Sequence, residues 1–294
     1  ELSQLALFAD GDAPVLAPPA PRLPELAAVP EPPHHHVRRL SFTALSLFES
    51  CSYRYYAERV VGMRARDVSP ADEEGLSGTA IGSFVHAELE RVSLREPSLS
   101  PGLEERFAAT FPRATPEEGA HVATLARAYC DSELAARVAT FDMLFQERHF
   151  TFEHDGVLLH GYLDVYAQRG DRAFVLDYKT NALGEESPEE VVEHSYRLQR
   201  LVYALACLRA GASEVEVVYH FLERPEAPVA TTFGRDQVAL LEAELSAAIA
   251  AIRAGDFRPT PSEYACAGCP ALDVVCAGPR LRVAATPAPV ATFA

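Results

Sequence analysis

The stretch 160–181, HGYLDVYAQRGDRAFVLDYKTN, constrains this chain more than any other. Residues 157–168 and 172–179 are rich in aliphatic and aromatic side chains, and Gly170-Asp171 between them suits a two-residue hairpin turn. With that turn Arg169 faces Arg172, and counting back along both strands sets Asp164 opposite Asp177. Side chains alternate along a strand, so Asp177 and Lys179 project from one face. Two carboxylates roughly 5 Å apart at their Cβ atoms call for a shared proton or a cation. Lys179 alone could neutralise one of them. The sharper reading is a divalent-metal site beside a lysine, and oxygen ligands favour Mg²⁺ or Mn²⁺. Everything here depends on register, because a one-residue slip moves a whole strand's side chains to the other face.

Asp164 followed by Asp177-Tyr178-Lys179 resembles the PD-(D/E)xK nuclease core. The spelling G-Y-L-D…L-D-Y-K-T resembles its RecB-like exonuclease branch.

The 294 residues allow one large domain or two small ones. No apolar run is long enough to span a membrane and no signal peptide is visible, so a cytoplasmic setting is the expectation. The chain begins with Glu1, as a piece of something longer would. A net charge of −16 argues against broad adhesion to nucleic acid, though not against a locally basic channel.

Residues 1–37 read as a linker or tail, with eight prolines between Pro14 and Pro33 and a solvated His34-His35-His36. The nuclease-like domain is expected over 38–279, followed by a flexible tail over 280–294. A helix capped by Ser41 or Thr43 is expected to run to Tyr56, a second over 78–94, and an Ala-rich third over 117–140. A strand over 143–153 precedes the hairpin, and a strong helix over 188–210 follows it. Strands over 214–223 and 229–233 and a helix over 235–254 complete the order. This succession predicts an α/β fold, a central mixed β-sheet flanked by helices, with a parallel crossover after the hairpin.

Four of the six cysteines stand out by position. Cys266-x2-Cys269-x6-Cys276 lies in a Pro/Gly-flanked C-terminal loop, and Cys51 stands alone near the start of the fold. The CxxC spacing sets two thiolates on one metal, and by spacing alone Zn²⁺ is the expectation. Disulfides would seldom persist in a cytosolic chain. Cys130 and Cys207 fall in helical, Ala/Leu-rich sequence and read as core. A distant single cysteine with a C-terminal C-x2-C-x6-C resembles the iron–sulfur staple of AddB-type nucleases. That resemblance implies a [4Fe-4S] cluster at Cys51, Cys266, Cys269 and Cys276, with Zn²⁺ as the alternative.

The resemblance covers about 40–279 and implies further roles. In G-x-x-x-H-x-x-L-E, His86 is similar to the metal-binding histidine of the RecB-like first motif, joining Asp164, Asp177 and the Tyr178 carbonyl. Glu147, on the strand before the hairpin, either reaches the metal or is an exposed strand carboxylate. Glu90, one turn after His86, is a candidate partner for it. Gln199 and Tyr203 share a helix face and resemble the Q-x3-Y motif that positions DNA and the lysine. Arg197 and Arg200 are candidate phosphate contacts. Lys179 would orient water or balance charge at the phosphate. The implied activity is Mg/Mn-dependent exonucleolytic hydrolysis of DNA, single strands above all, beside a helicase in repair or recombination. No G-x4-G-K-[ST] loop is present, so a motor would come from a helicase domain or subunit, as in a UvrD/AddB-like helicase–nuclease. A stand-alone CRISPR-associated RecB-like exonuclease, a catalytically silent DNA-binding or assembly module and a zinc-stapled interaction domain are the alternatives.

Overall fold

The computed structural model describes residues 36–64, 76–181, 183–184 and 186–280, all within the unit His34–Ala294. Of the linker expected over 1–37 and the tail expected over 280–294, residues 1–35 and 281–294 lie outside the described residues. Val37, expected in the linker, is buried in the core.

A short strand β1 (Arg39–Ser41) opens the fold, and Ser41 caps α1 (Phe42–Ser50) by accepting the Ala44 N–H at 3.2 Å. The helix expected to reach Tyr56 breaks at Cys51, whose backbone is extended (φ −159, ψ 102). Beyond the break come α2 (Ser52–Tyr55) and a π-helical turn (Tyr56–Val60). Next, α3 (Gly78–Leu89) starts from a Ser77 cap and stops short of Leu94. The sequence pattern predicts no element at α4 (Leu103–Thr110), which buries only Leu103 and Phe107. The single helix expected over 117–140 is two, α5 (Pro116–Cys130) and α6 (Glu133–Val138). Ser132 separates them because its hydroxyl caps α6, accepting the Ala135 N–H.

Strands β2 (Met143–His154), β3 (Val157–Arg169) and β4 (Arg172–Lys179) then form a meander, with Arg169 paired to Arg172 as the turn requires. Gly170 adopts φ +60, the left-handed conformation that this turn needs and glycine supplies. The helix expected over 188–210 divides at Tyr196 (φ −125, ψ 9) into α7 (Pro188–Ser195) and α8 (Arg197–Arg209). After it come β5 (Glu214–Phe221), β6 (Val229–Gly234), a 3-10 turn (Arg235–Gln237), α9 (Val238–Ala254) and α10 (Glu263–Cys266).

The sheet has six strands in the order β1-β3-β4-β5-β6, with β2 also paired to β3. Strands β4 and β5 are parallel, joined by the expected crossover through α7 and α8. Helices pack on both faces over most of the sheet, giving the mixed α/β architecture that the sequence predicts. One apolar cluster packs α1, α7, α8 and α9 on the sheet, and the other packs α3, α4, α5 and α6.

Strand β3 contributes to both clusters. Leu159 and Leu163 belong to the first, Val165 and Ala167 to the second, so its odd-numbered side chains change cores at Asp164. The paired residues Gln146↔Val165 and Arg148↔Leu163 bracket Glu147 opposite Asp164, and Glu147 has φ 44, a left-handed conformation costly for a residue with a side chain. The strand pair is strained where its acidic residues sit.

Close packing on β3 is testable at Gly161. A Cβ there would lie 2.9 Å from the Phe150 ring, which packs edge-on against Tyr203 at 5.9 Å. Gly161→Ala is expected to destabilise the fold by about 1–3 kcal/mol, seen as a lower urea midpoint. An unchanged midpoint would mean that Phe150 moves aside freely.

Candidate active site

The carboxy-terminal end of β4 carries Asp177, Tyr178 and Lys179 into a cleft of about 1080 Å³. The cleft is also lined by Gly82 and His86 from α3, Glu90 just past its end, Glu147 from β2, Asp164 from β3, and Tyr196, Gln199 and Tyr203. Close approach of α3 to the end of β4 requires Gly82, since a Cβ there would lie 2.6 Å from Thr180 Oγ1.

Asp177 is 2 % exposed. Its Oδ1 accepts hydrogen bonds from Gln199 Nε2 at 2.9 Å and Tyr203 OH at 3.0 Å. Its Oδ2 is buried and pairs with Lys179 Nζ at 2.6 Å. Gln199 joins both charges, because its Oε1 also accepts from Lys179 Nζ at 3.1 Å. Tyr203 OH takes a further bond from Gln199 Nε2 at 2.8 Å. The ammonium lies 4.0 Å from the Tyr196 ring centre and 5.4 Å from that of Tyr219, a cation–π pairing on two stacked rings. Burial works against the charged lysine, and Asp177, Tyr196 and Asp164 together outweigh it, so the Lys179 pKa is raised.

Asp164 does not extend the ladder beyond Val165↔Leu176. Its own Oδ2 takes the Tyr178 N–H at 2.9 Å and lies 3.4 Å from His86 Nδ1. Burial, then the Asp177 charge, pushes its pKa well above the ordinary carboxylate range, against the pull of Lys179 and the Tyr178 N–H. Glu147 is raised as well, by burial and by Glu90 and Asp177. His86 is lowered, chiefly by burial, although Asp177 and a backbone hydrogen bond with Tyr178 favour the imidazolium. Two carboxyls that hold protons too tightly, beside Asp177 and an imidazole biased towards neutrality, form an oxygen-rich set suited to a hard divalent cation. Asp177 Oδ2, which has no partner besides the Lys179 ammonium among the described residues, fits that role. Among the described residues no three His, Cys, Asp or Glu side chains already enclose a common centre. Asp164, Asp177, His86 and Glu147 border one cleft without closing on a point.

Gln199 and Tyr203 lie where the sequence expects them, on one face of α8, and they grip Asp177. Arg197 and Arg200 do not reach the cleft. Arg197 pairs with Glu49 and Glu244, and Arg200 with Glu193 at 2.7 Å and Thr231 at 3.4 Å. Tyr196 is a site residue that no sequence motif marks, although it lies three positions before Gln199. Its hydroxyl donates to Asn181 Oδ1 at 3.1 Å, tying the α7–α8 break to the end of β4.

The C-terminal cysteines sit close to this cleft, which Ala267 also lines. All six cysteines are free thiols. Arg54 from α2 donates to the carbonyls of Ala265 at 3.0 Å and Ala267 at 2.9 Å, and Thr260 donates to the Ser50 carbonyl. The segment around Cys51 is thereby bound to the loop of Cys266, Cys269 and Cys276. Burial raises the Cys269 thiol pKa, the N–H groups of Ala271 and Leu272 lower it, and Cys51 is near enough to raise it. Gly278 N–H donates to Cys276 Sγ at 3.4 Å. Cys207 is buried as expected, whereas Cys130 is only half-buried.

Asp164→Asn separates charge from shape. At neutral pH, above the ordinary value of 3.8, the unfolded carboxyl is ionised while the folded one resists ionisation, so the wild-type charge costs stability. The asparagine oxygen still accepts from Tyr178. The variant without added metal is expected to melt at a higher temperature than wild type at pH 7. The gain should shrink as pH falls towards 3.8. Melting curves at pH 7 and pH 4 check this, and a lower melting temperature at pH 7 would contradict it.

Three comparisons bear on this geometry. The sequence pattern of the PD-(D/E)XK nuclease superfamily matches residues 39–276. The chain is 26% identical over 223 residues to an ATP-dependent helicase/nuclease subunit of Limosilactobacillus fermentum, covering 67% of this chain and 16% of that protein. It is 24% identical over 158 residues to the protein of the same name from Bacillus cereus, covering 46% of this chain and 13% of the relative. It thus spans about a sixth or less of these curated relatives. Among solved structures, a candidate exonuclease from Eubacterium rectale aligns with a TM-score of 0.46 at 12% identity, over 76% of this chain and 84% of that one. With the family pattern running from β1 to the last cysteine, the chain belongs to the PD-(D/E)XK nuclease superfamily.

Proposed function

We propose that this chain is a metal-dependent exonuclease domain that hydrolyses DNA, single strands above all, in partnership with a helicase domain or subunit. The observation that carries the reading is the buried Asp177–Lys179 pair, held by Gln199 and lining the cleft. The helicase partnership draws support from relatives named helicase/nuclease subunits.

Asp164, Asp177, His86 and the Tyr178 carbonyl would hold Mg²⁺ or Mn²⁺, with Glu147 beside them. When bound, the ion supplies Lewis acidity towards water and the phosphate oxygens. Hydrolysis consumes one water and breaks one P–O ester bond, leaving a phosphate monoester and a free hydroxyl. Lys179, kept protonated by Asp177, orients the attacking water or offsets the charge that grows on the phosphate oxygens. Gln199 fixes the distance between carboxylate and ammonium, and the Tyr196 ring keeps the ammonium from swinging away. Burial of both charges strengthens their effect on a phosphate in the cleft.

The four thiols Cys51, Cys266, Cys269 and Cys276 would hold a [4Fe-4S] cluster that ties α1 and α2 to the C-terminal loop. Hydrogen bonds from backbone N–H groups to Cys269 and Cys276 favour sulfurs carrying negative charge, as cluster or zinc ligation requires. Iron and zinc content after anaerobic purification decides between the two. Cys269→Ser is expected to lose metal and lower the melting temperature. An unchanged melting temperature would remove the structural role.

The nuclease reading is tested by degradation of end-labelled single-stranded DNA with Mn²⁺ or Mg²⁺. Lys179→Ala is expected to abolish cleavage, and Gln199→Ala to reduce it about 10- to 100-fold by releasing both partners. Cleavage by Lys179→Ala at the wild-type rate would overturn the mechanism.

A further inference from the structure

One face of the sheet beside the cleft lacks a helical cover among the described residues. Register fixes its membership. Arg39 of β1 pairs with Leu158, and Thr151 and His149 of β2 pair with His160 and Tyr162 of β3. Side chains of 158, 160 and 162 share one face, and their neighbours share it with them. The opposite face at this level is core, because Leu40, Leu159 and Leu163 are buried. Tyr162 is 56 % exposed, and Arg39, His149 and Thr151 are also exposed.

This face leads directly into the site. Tyr162 precedes Asp164 by two residues, and His149 follows Glu147 by two, each roughly 7 Å along its strand. His149 and Tyr162 form an edge-on aromatic pair, ring centres 5.1 Å apart. Arg39 has no hydrogen-bond or ion-pair partner among the described residues, unlike Arg197, Arg200 and Arg209, which all pair with glutamates. Arg39 and His149 are both near enough to His160 to act on its charge. Arg39 and Glu153 flank Leu158 from either side, so both lie at the end of this face remote from the cleft, six residues along β3 from Asp164. In a chain of net charge −16, this sets the exposed Tyr162 and His149 rings next to the candidate active site and an unpaired arginine further along the same face.

We propose that this face is a stacking platform for single-stranded nucleic acid, and that it feeds the strand towards Asp164 and Lys179. Bases stack on Tyr162 and His149, and Arg39 takes a backbone phosphate. Aromatic stacking accepts any base, so the platform binds without reading sequence. Arg39 binds phosphate in a salt-dependent way. Its position beside the cleft makes Tyr162, His149 and Arg39 positioning residues for the reaction. The proposal rests on the nuclease reading for its purpose, but its own test is binding rather than cleavage.

The experiment is fluorescence anisotropy of a labelled single-stranded oligonucleotide with the full chain in EDTA, at fixed salt. Wild type is expected to bind. Tyr162→Ala combined with His149→Ala should weaken binding about tenfold or more. Tyr162→Phe should restore most of the single-site loss, because stacking needs the ring and not the hydroxyl. Leu240→Ala, at a 67 % exposed position on α9, serves as the unrelated surface control. Arg39→Ala should weaken binding and flatten its salt dependence. Wild-type affinity in the double variant, or no binding by the wild type, overturns the platform. Metal-dependent cleavage by wild type, measured separately, shows whether the nuclease reading stands. A chain that cleaves but binds equally well without Tyr162 and His149 would keep the nuclease and lose the platform.

Discussion

A buried carboxylate and a buried ammonium two residues apart on one strand set the terms for the rest of this structure. Asp177 and Lys179 stand 2.6 Å apart, with side chains 3 % and 12 % exposed. Taking both from water is costly unless the remaining polar atoms are satisfied. The chain meets this demand with α8, which brings Gln199 and Tyr203 onto Asp177, and with Tyr196 and Tyr219, whose rings face Lys179. The parallel β4–β5 crossover puts α8 over β4 and lays Tyr219 beside Asp177. The break between α7 and α8 lets Tyr196 turn back to Asn181, and a continuous helix would have carried that ring elsewhere. The architecture can be understood as a frame around one ion pair.

The second carboxylate is placed at the expense of regular structure. At Asp164 the β3 side chains change cores, the β3–β4 ladder gives way to a side chain–backbone bond, and Glu147 across the strand adopts a left-handed backbone. Burial and nearby negative charge raise the pKa of both Asp164 and Glu147. Strain and frustrated charge at one point are what a cation-binding site looks like before its electrostatic partner is considered. Among the described residues, the same geometry leaves the neighbouring face of β1, β2 and β3 without a helix, next to the site.

Much of this was legible in the sequence, for identifiable reasons. The Gly170-Asp171 turn fixes the β3–β4 register from Arg169↔Arg172 to Val165↔Leu176, one step short of the counted Asp164–Asp177 pair, and alternation along β4 puts Asp177 and Lys179 on one face. The four-residue spacing of Gln199 and Tyr203 survives on α8 because that stretch is regular. Helix breaks at Cys51, Tyr196 and Ser132 were not legible, since apolar periodicity continues across them and the interrupting conformations depend on tertiary partners or caps. β1 is three residues long and is held by parallel pairing to a segment far along the chain, which no local pattern encodes. The core change at Asp164 is invisible to an alternation rule, because it is the failure of that rule. Arg197 and Arg200 looked available for phosphate, but glutamates brought in by folding occupy them.

The claim that these residues form a cation site is tested most directly by calorimetric titration of Mn²⁺ into the protein at pH 7, in buffers of different ionisation enthalpy. A carboxyl held above its ordinary pKa must release its proton when a cation takes its place. The account predicts saturable binding with a buffer-dependent heat that reports proton release, and loss of both in Asp177→Asn. Saturable binding of equal strength in that variant, or no binding by the wild type, would contradict it.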